Sequence, residues 1–520
     1  MPLPRLLLAV VVVLAAALQV PATAAAGPGQ LSIFLDDDQM LYRGDQARDF
    51  ALQRMKTLGA DVVRVSVLWS VAAENAHKGR RQRRRFRSAD PSTYPIGNWD
   101  RYDRLVLAAQ QMGIVVYLDV TGPGPKWAMG RAPRSQKKNR GTWKPDAREF
   151  GRFVRAVATR YSGAYRDENG TRGFLPKVTF WALYNEPNQG GWLTPQYQRR
   201  GGKVVPWSPV MYRSLWLHGR QALEDTGHDD DIILIGETAP LGSGGHTTRS
   251  PIRPKKFIRE LFCVRSNGRR YRGRQARLRR CSTLKRIKRF EATAWAHHPY
   301  TKKLAPTKRD RSRDSISIAN VSDLPRLLDQ MASKTRRIAP GMNTMMTEFG
   351  YETNPPDPFS GVSLAKQAAY INIGDHIAYQ DPRVVGQTQF LFKDVPPVKG
   401  ERKGTKPYWF TYQSGLFDAD GRPKPAATAY AMPLVVTPAG DQDHLWGQLR
   451  FLPNGRQTTV ATEFRAEGSD TWAPVGEPIQ VTNGLGFYEA DRPSPGPGAW
   501  RAVWSDGAGF TLTSREVTVD

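Results

Sequence analysis

The sequence predicts an α/β fold, a (β/α)8 TIM barrel, with a C-terminal all-β sandwich domain behind it. Three observations carry that expectation. From residue 31 to about residue 430, eight short β-rich runs alternate with longer stretches of helical periodicity, as in a parallel sheet with crossover helices. An open doubly wound sheet would place a glycine-rich phosphate loop after its first strand, and "LDDDQMLYRGD" does not supply one. Past Pro433 the helical patterns stop and short alternating runs separated by Gly, Pro, Asn and Asp take over.

The runs read as strands are "LSIFLD" (31–36), "VVRVSVLW" (62–69), "IVVYLDV" (114–120), "VTFWALYN" (178–185), "IILIGE" (232–237), "ATAWAHH" (292–298), "NTMMTEF" (343–349) and "GQTQFLF" (386–392). Between them, "ARDFALQRMKTLG" ends on a glycine stop signal, and "DAREFGRFVRAVATRYSG" carries apolar residues at three- and four-residue spacing. After Pro433, "LWGQLRFL", "TTVATEFRA", "PIQVTN", "GFYEAD", "AWRAVW" and "FTLTSREVTV" supply the strands of the sandwich. A sugar-binding module and a passive stabilising one fit that sandwich equally well, since fold alone does not assign a function.

At 520 residues the chain exceeds what one core accommodates, in keeping with a large unit and a smaller one. Residues 1–26 run from a basic start through an apolar stretch to small residues at Ala22, Ala24 and Ala26, the pattern of a secretory signal peptide. That sets the expected boundaries at 1–26 for the signal peptide, 27–432 for the barrel and 433–520 for the sandwich, and the expected location outside the cell. No later segment has the length and apolarity of a transmembrane helix. In an oxidising compartment the two cysteines, Cys263 and Cys281, are expected to form a disulfide in preference to remaining two separate thiols. No clustered ligand pattern points to a structural metal, and no cofactor is expected.

The net charge of +28 is concentrated. Residues 77–90 hold seven Lys/Arg against one Asp, and residues 249–290 hold seventeen against one Glu. Such runs are ordinarily solvated loops that attract polyanions or cell surfaces weakly, and no recognisable nucleic-acid-binding motif accompanies them.

In a barrel of this kind the working residues sit at the carboxyl ends of the strands. The fourth strand ends in Asn185-Glu186 and the seventh in Glu348, two carboxylates on nearly opposite sides of the ring. The pair "NEP" and "TEFG", with Arg64 on the second strand and "HPY" (His298, Tyr300) after the sixth, resembles the clan A retaining glycoside hydrolases, especially the family 5, cellulase-like members. The resemblance spans roughly residues 31–430 and includes the closing "GLFDADGRPKPAATAY".

It implies a secreted O-glycosidase acting on β-linked oligo- or polysaccharides by double displacement, with Glu348 as nucleophile and Glu186 as acid/base. It also implies that Asn185 contacts the sugar's 2-hydroxyl and that Arg64 and Tyr300 favour the ionised form of Glu348. Arg64, His298 and Tyr300, with the aromatic rings of Trp69 and Trp127, complete the expected substrate site. Two departures from the family stand out: the eighth strand offers Phe390 and Phe392 in place of the usual tryptophan platform, and "LDVTGPGP" lacks a histidine often seen after the third. The alternatives are a non-catalytic carbohydrate-binding barrel and an adhesin or polyanion-binding protein acting through the basic loops.

Overall fold

A computed structural model describes residues 29–169, 173–452 and 456–520. The expected signal peptide, 1–26, lies outside these residues. The barrel strands are β1 (Leu31–Leu35), β2 (Val62–Leu68), β3 (Val115–Thr121), β4 (Phe180–Leu183), β5 (Ile232–Thr238), β6 (Ala294–His297), β7 (Asn343–Met346) and β8 (Val384–Phe390). They pair in parallel in chain order and close through β1 against β8. The crossover helices are α1 (Asp45–Thr57), α2 (Asp100–Gln111), α3 (Ala147–Arg160), α4 (Ser208–Glu224), α5 (Pro254–Leu261), α6 (Asp323–Thr335), α7 (Leu364–Tyr379) and α8 (Pro425–Ala431).

Strand parity decides which side chains meet at the axis, because successive residues of a strand point to opposite faces. Val62, Tyr117, Phe180, Ala182, Leu234, Ala294, Ala296 and Met345 fill the interior. Their neighbours Val63, Val65, Leu118, Trp181, Ile233 and Trp295 pack outward under the helices. Two residues beyond Val62 and two beyond Ala296 stand Arg64 and His298, which share the inward face. His297, one residue earlier, points out.

Helices α3 and α4 pack closely because both carry glycine at the crossing. A Cβ on Gly151 would lie 2.8 Å from His218 of α4, and one on Gly219 would lie 3.4 Å from Phe150 of α3 and 3.0 Å from Leu183 of β4 beneath them. Strand Leu434–Ala439 opens a second body of antiparallel sheets, one of three strands and one of six, around Leu445, Phe464, Trp500 and Val519. The run "LVVTPA" was not among the expected strands, and "FTLTSREVTV" splits into Thr511–Thr513 and Val517–Val519. The sheets dock on α7, where Trp446 stacks on His376 at 4.9 Å and Arg450 pairs with buried Asp375 at 3.0 Å. Cys263 and Cys281 are joined, with their Cα atoms 5.9 Å apart, in the connection between α5 and β6. No helix of the described residues is long and apolar enough to cross a membrane.

Candidate active site

The carboxyl ends of β2, β3, β4, β5, β6 and β7 converge on a connected set of charged groups. Arg64 lies at its centre. One guanidinium nitrogen donates to Glu348 Oε1 at 3.0 Å; the other donates to Asp119 Oδ2 at 3.0 Å, Asn185 Oδ1 at 3.0 Å and Glu237 Oε2 at 2.9 Å. His298 places Nδ1 3.0 Å from Glu186 Oε1 and Nε2 2.7 Å from Glu237 Oε2. The Tyr300 hydroxyl donates to Glu348 Oε2 at 3.2 Å. Glu237 also accepts from Thr347 at 2.9 Å and from the Tyr117 hydroxyl.

Backbone conformation aims the acids. Tyr184, Glu186 and Glu237 all take positive φ, at 79°, 38° and 43°, where a side chain costs roughly 1–3 kcal/mol. The Glu186 amide is held by the Glu237 carbonyl at 2.9 Å. Cross-strand hydrogen bonding therefore locks the two strained strand ends together.

Exposure separates the carboxyls into two classes. The side chains of Glu186 and Glu348 are 19% and 12% exposed, while those of Arg64, Asp119, Glu237 and His298 are 0% exposed. Only the first two can meet a ligand. Arg64 and His298, expected among the substrate-binding residues, are sealed beneath the acids and act on them instead. Glu237, at the end of β5, is the counter-ion joining both cations.

The titration of these groups follows from their contacts. Burial opposes the charge on His298, but Glu348, Glu186 and Glu237 outweigh it and push the imidazolium up to about 10. Burial likewise works against ionisation of Glu237, yet Arg64 and His298 hold it down at about 2. For Glu348, burial prevails and raises the carboxyl, with His298 and Arg64 pulling the other way. Burial also drives Asp119 well above the usual carboxylate range. His297 points out of the barrel toward the Ile316 carbonyl, and burial lowers it to about 3. Two adjacent histidines thus differ in charge because strand parity sends one toward acids and the other toward neutral partners.

Stability should depend on pH accordingly. The raised His298 contributes fully below its unfolded value of 6.5, and the contribution is lost as pH climbs through about 10. The lowered Glu237 contributes above its unfolded 4.5, and that contribution is lost as pH falls through about 2. These two contributions overlap in full between pH 4.5 and 6.5, and the raised Asp119 and Glu348 act in the same direction as His298 on the alkaline side, so Tm should decline toward pH 10; a Tm that rises steadily across the alkaline limb contradicts the buried imidazolium.

The aromatic expectations fare unevenly. Trp69 is fully buried, stacked on Phe153 at 5.6 Å, and offers no face to a ligand. A tryptophan beside a strand end is drawn into the layer under the helices when Phe150 and Phe153 of α3 pack against it. Trp127 is half-buried, with one face stacked on His77 at 4.5 Å. Of the two phenylalanines expected on the eighth strand, Phe392 falls just past the end of β8 and is core, and Phe390 ends β8 and is partly exposed.

An edge-to-face series runs Tyr300, Phe390, Tyr412, with centroids 5.8 and 5.2 Å apart. Tyr412 is exposed. Tyr412 was missed by sequence reading; its signal was the aromatic density of "YWFTY" (408–412) in the connection after β8.

One oxygen from each of Glu186 and Glu348 and one His298 nitrogen lie within 4.8 Å of one another, a grouping able in principle to hold a cation. Both ring nitrogens already face carboxylates, and a charged imidazolium repels a metal ion. The donor set therefore does not suit one.

No family model matches the chain, and no characterised protein matches it by sequence. Among solved structures, similar folds include a family 39 glycoside hydrolase from Bacteroides cellulosilyticus WH2 (12% identity, 91% of this chain and 82% of that one, TM-score 0.47). Others are the endo-β-1,4-mannanase of Thermotoga petrophila (10% identity, 96% and 98%, TM-score 0.43) and a GH5_18 protein of Streptomyces cattleya in complex with GlcNAc (16% identity, 78% and 79%, TM-score 0.45). These neighbours are glycoside hydrolases, too distant to bear on the activity of this chain.

Proposed function

We propose that the protein is a secreted retaining glycosidase acting on β-linked glycans, with Glu348 as nucleophile and Glu186 as acid/base. The observation that carries this reading is the placement of two accessible carboxylates with oxygens within 4.8 Å of each other. Retaining enzymes hold their carboxyl groups ~5–5.5 Å apart for direct attack, whereas inverting ones leave ~6.5–9.5 Å for a water.

The partners divide the roles. Glu348 accepts from Arg64 and Tyr300, donors that stabilise its anion and aim it at the anomeric carbon. Glu186 accepts from His298 at Oε1, and its Oε2 has no hydrogen-bond partner among the described residues. That oxygen is free to carry the proton given to the departing glycosidic oxygen. In the first step the Glu348–carbon bond forms as the carbon–oxygen bond to the leaving group breaks and Glu186 releases its proton. In the second, Glu186 takes a proton from water, whose oxygen replaces Glu348. Asn185 is anchored through Oδ1 to Arg64, which leaves its amide NH2 to donate to the 2-hydroxyl.

Proton NMR of the first product released from an aryl β-glycoside tests this reading. The β-anomer is expected before mutarotation, and initial release of the α-anomer overturns double displacement.

A further inference from the structure

The mechanism above uses little of the chain's large positive excess, and the larger share of that excess lies in the connections around the site. All eight strand-to-helix connections emerge on the side where Glu186 and Glu348 lie. Together they hold 33 Lys/Arg and 16 Asp/Glu. On the opposite side, the described residues of the helix-to-strand connections hold 17 and 9, 12 of the basic residues being in the segment 262–293. The disulfide-tied segment 262–293 is itself basic, and its Arg280 climbs the flank to lie over the Trp207 ring at the start of α4.

The charge is densest in the short helix Gly79–Arg85, which buries no residue. Arg80, Arg81, Arg83, Arg84 and Arg85 are exposed and have no ion-pair partner among the described residues. The helix puts Arg80 above Arg84 and Arg81 above Arg85, like charges on adjacent turns, which is unfavourable unless anions outside the chain offset it. It is not a loose tail. His77 stacks on Trp127 at 4.5 Å and Phe86 meets the same ring edge-on at 5.4 Å, so both flanks of the helix are pinned to the connection after β3. That connection adds the exposed Arg131, Arg134, Lys137, Lys138 and Arg140. Trp127, Lys144 and Arg280 line a cavity of about 570 Å3 there, together with the acids Asp146 and Glu149.

We infer that the glycan is acidic: a polysaccharide bearing carboxylate, sulfate or phosphate groups, drawn by this basic rim into the cleft of Glu186 and Glu348. The inference rests on the glycosidase reading and adds the charge of the substrate to it. A net excess of one sign around a low-dielectric cleft concentrates a ligand of the opposite sign, and the attraction weakens with salt.

The test uses the full chain carrying Glu348→Gln, which binds without turning substrate over. Its affinities for chondroitin sulfate, polygalacturonate, hydroxyethyl cellulose and a short DNA duplex are measured by affinity electrophoresis at 50 and 300 mM NaCl. At least one acidic glycan is expected to bind more tightly than the neutral one and the DNA, and to weaken about tenfold at the higher salt. The rim set Arg80→Ser, Arg81→Ser, Arg83→Ser, Arg84→Ser and Arg85→Ser should weaken that binding about tenfold. The set Arg269→Ser, Arg286→Ser, Lys288→Ser, Arg289→Ser and Lys334→Ser removes the same charge away from the catalytic face and should leave binding nearly unchanged.

Equal weakening by both sets, tighter binding to DNA than to every acidic glycan, or turnover by the parent protein confined to neutral glycans overturns the inference. If the parent hydrolyses no glycan while rim-dependent binding to the acidic one persists, the glycosidase reading falls and the acidic ligand stands.

Discussion

Replacing Glu348 with glycine is expected to lower kcat on activated aryl β-glycosides about 10^4- to 10^6-fold, the scale seen when a covalent nucleophile is removed from an otherwise intact site. The loss should be in kcat far more than in KM, because the carboxylate forms its bond only on the way to the transition state. Arg64 and Tyr300 keep their places through other contacts, Arg64 with Asp119, Asn185 and Glu237, and Tyr300 against Phe390. The deletion should therefore leave a small void with positive potential in an unchanged frame. Added azide should enter that void and restore turnover with the α-glycosyl azide as product, since it attacks from the face that Glu348 had used. A Glu348→Gly protein retaining more than about a tenth of parental kcat cannot be reconciled with nucleophilic catalysis there.

The second large effect is expected at a residue no ligand touches. Glu237→Gln keeps the shape of the side chain but removes the anion that lies between two buried cations. Arg64 and His298 would then share Glu348 as their principal counter-ion. Breaking a buried ion cluster on one side typically costs about 3–5 kcal/mol, and a loss of that size in unfolding free energy is the expected reading. Catalysis should fall roughly 10^2-fold, as it does when a donor at a reacting centre loses its orientation. The diagnostic readout is the pH dependence. Without Glu237 the imidazolium loses one of the charges that raise it, so the alkaline decline in stability should begin at lower pH than in the parent. Thr347→Val, which removes a neutral donor to the same oxygen, should not move that limb. A Glu237→Gln protein with parental stability and an unmoved limb would show that the buried charge is supported elsewhere.

The difference between these two glutamates also marks how far the sequence could be read. All eight barrel strands were legible, because β-branched and aromatic runs separated by helical periodicity leave few other arrangements. The position of Glu186 and Glu348 at the mouth of the barrel was legible because each ends an apolar run, and the end of a strand is where a barrel exposes polar groups. Glu237 also ends such a run, but its meaning depends on Tyr117, His298 and Thr347, which come from three other strands and are brought to it only by the closed sheet.

The same limit explains the misplacement of Arg64 and His298 in contact with substrate. A charged side chain at a strand end reads as exposed until parity and depth are known, and both prove to be beneath the acids. The fold also brings His298 to Glu186 from the end of β6, a contact that "NEP" by itself does not show. Trp69 was misread for the opposite reason: it follows β2 onto the face at the strands' carboxyl ends, but the helical layer claims it. Tyr412 went unnoticed because it lies in a long connection, 391–424, whose path no local pattern specifies.

The central claim is that Glu348 forms a covalent bond to the sugar while Glu186 supplies and recovers the proton. It is tested most directly by incubating the protein with 2-deoxy-2-fluoro aryl β-glycosides and mapping the labelled peptide by mass spectrometry. The account predicts a single glycosyl adduct on Glu348, absent from Glu348→Gln and still formed, with an activated leaving group, by Glu186→Ala. An adduct on Glu186 or any other residue, or turnover of an active substrate series that never labels the protein, would contradict it.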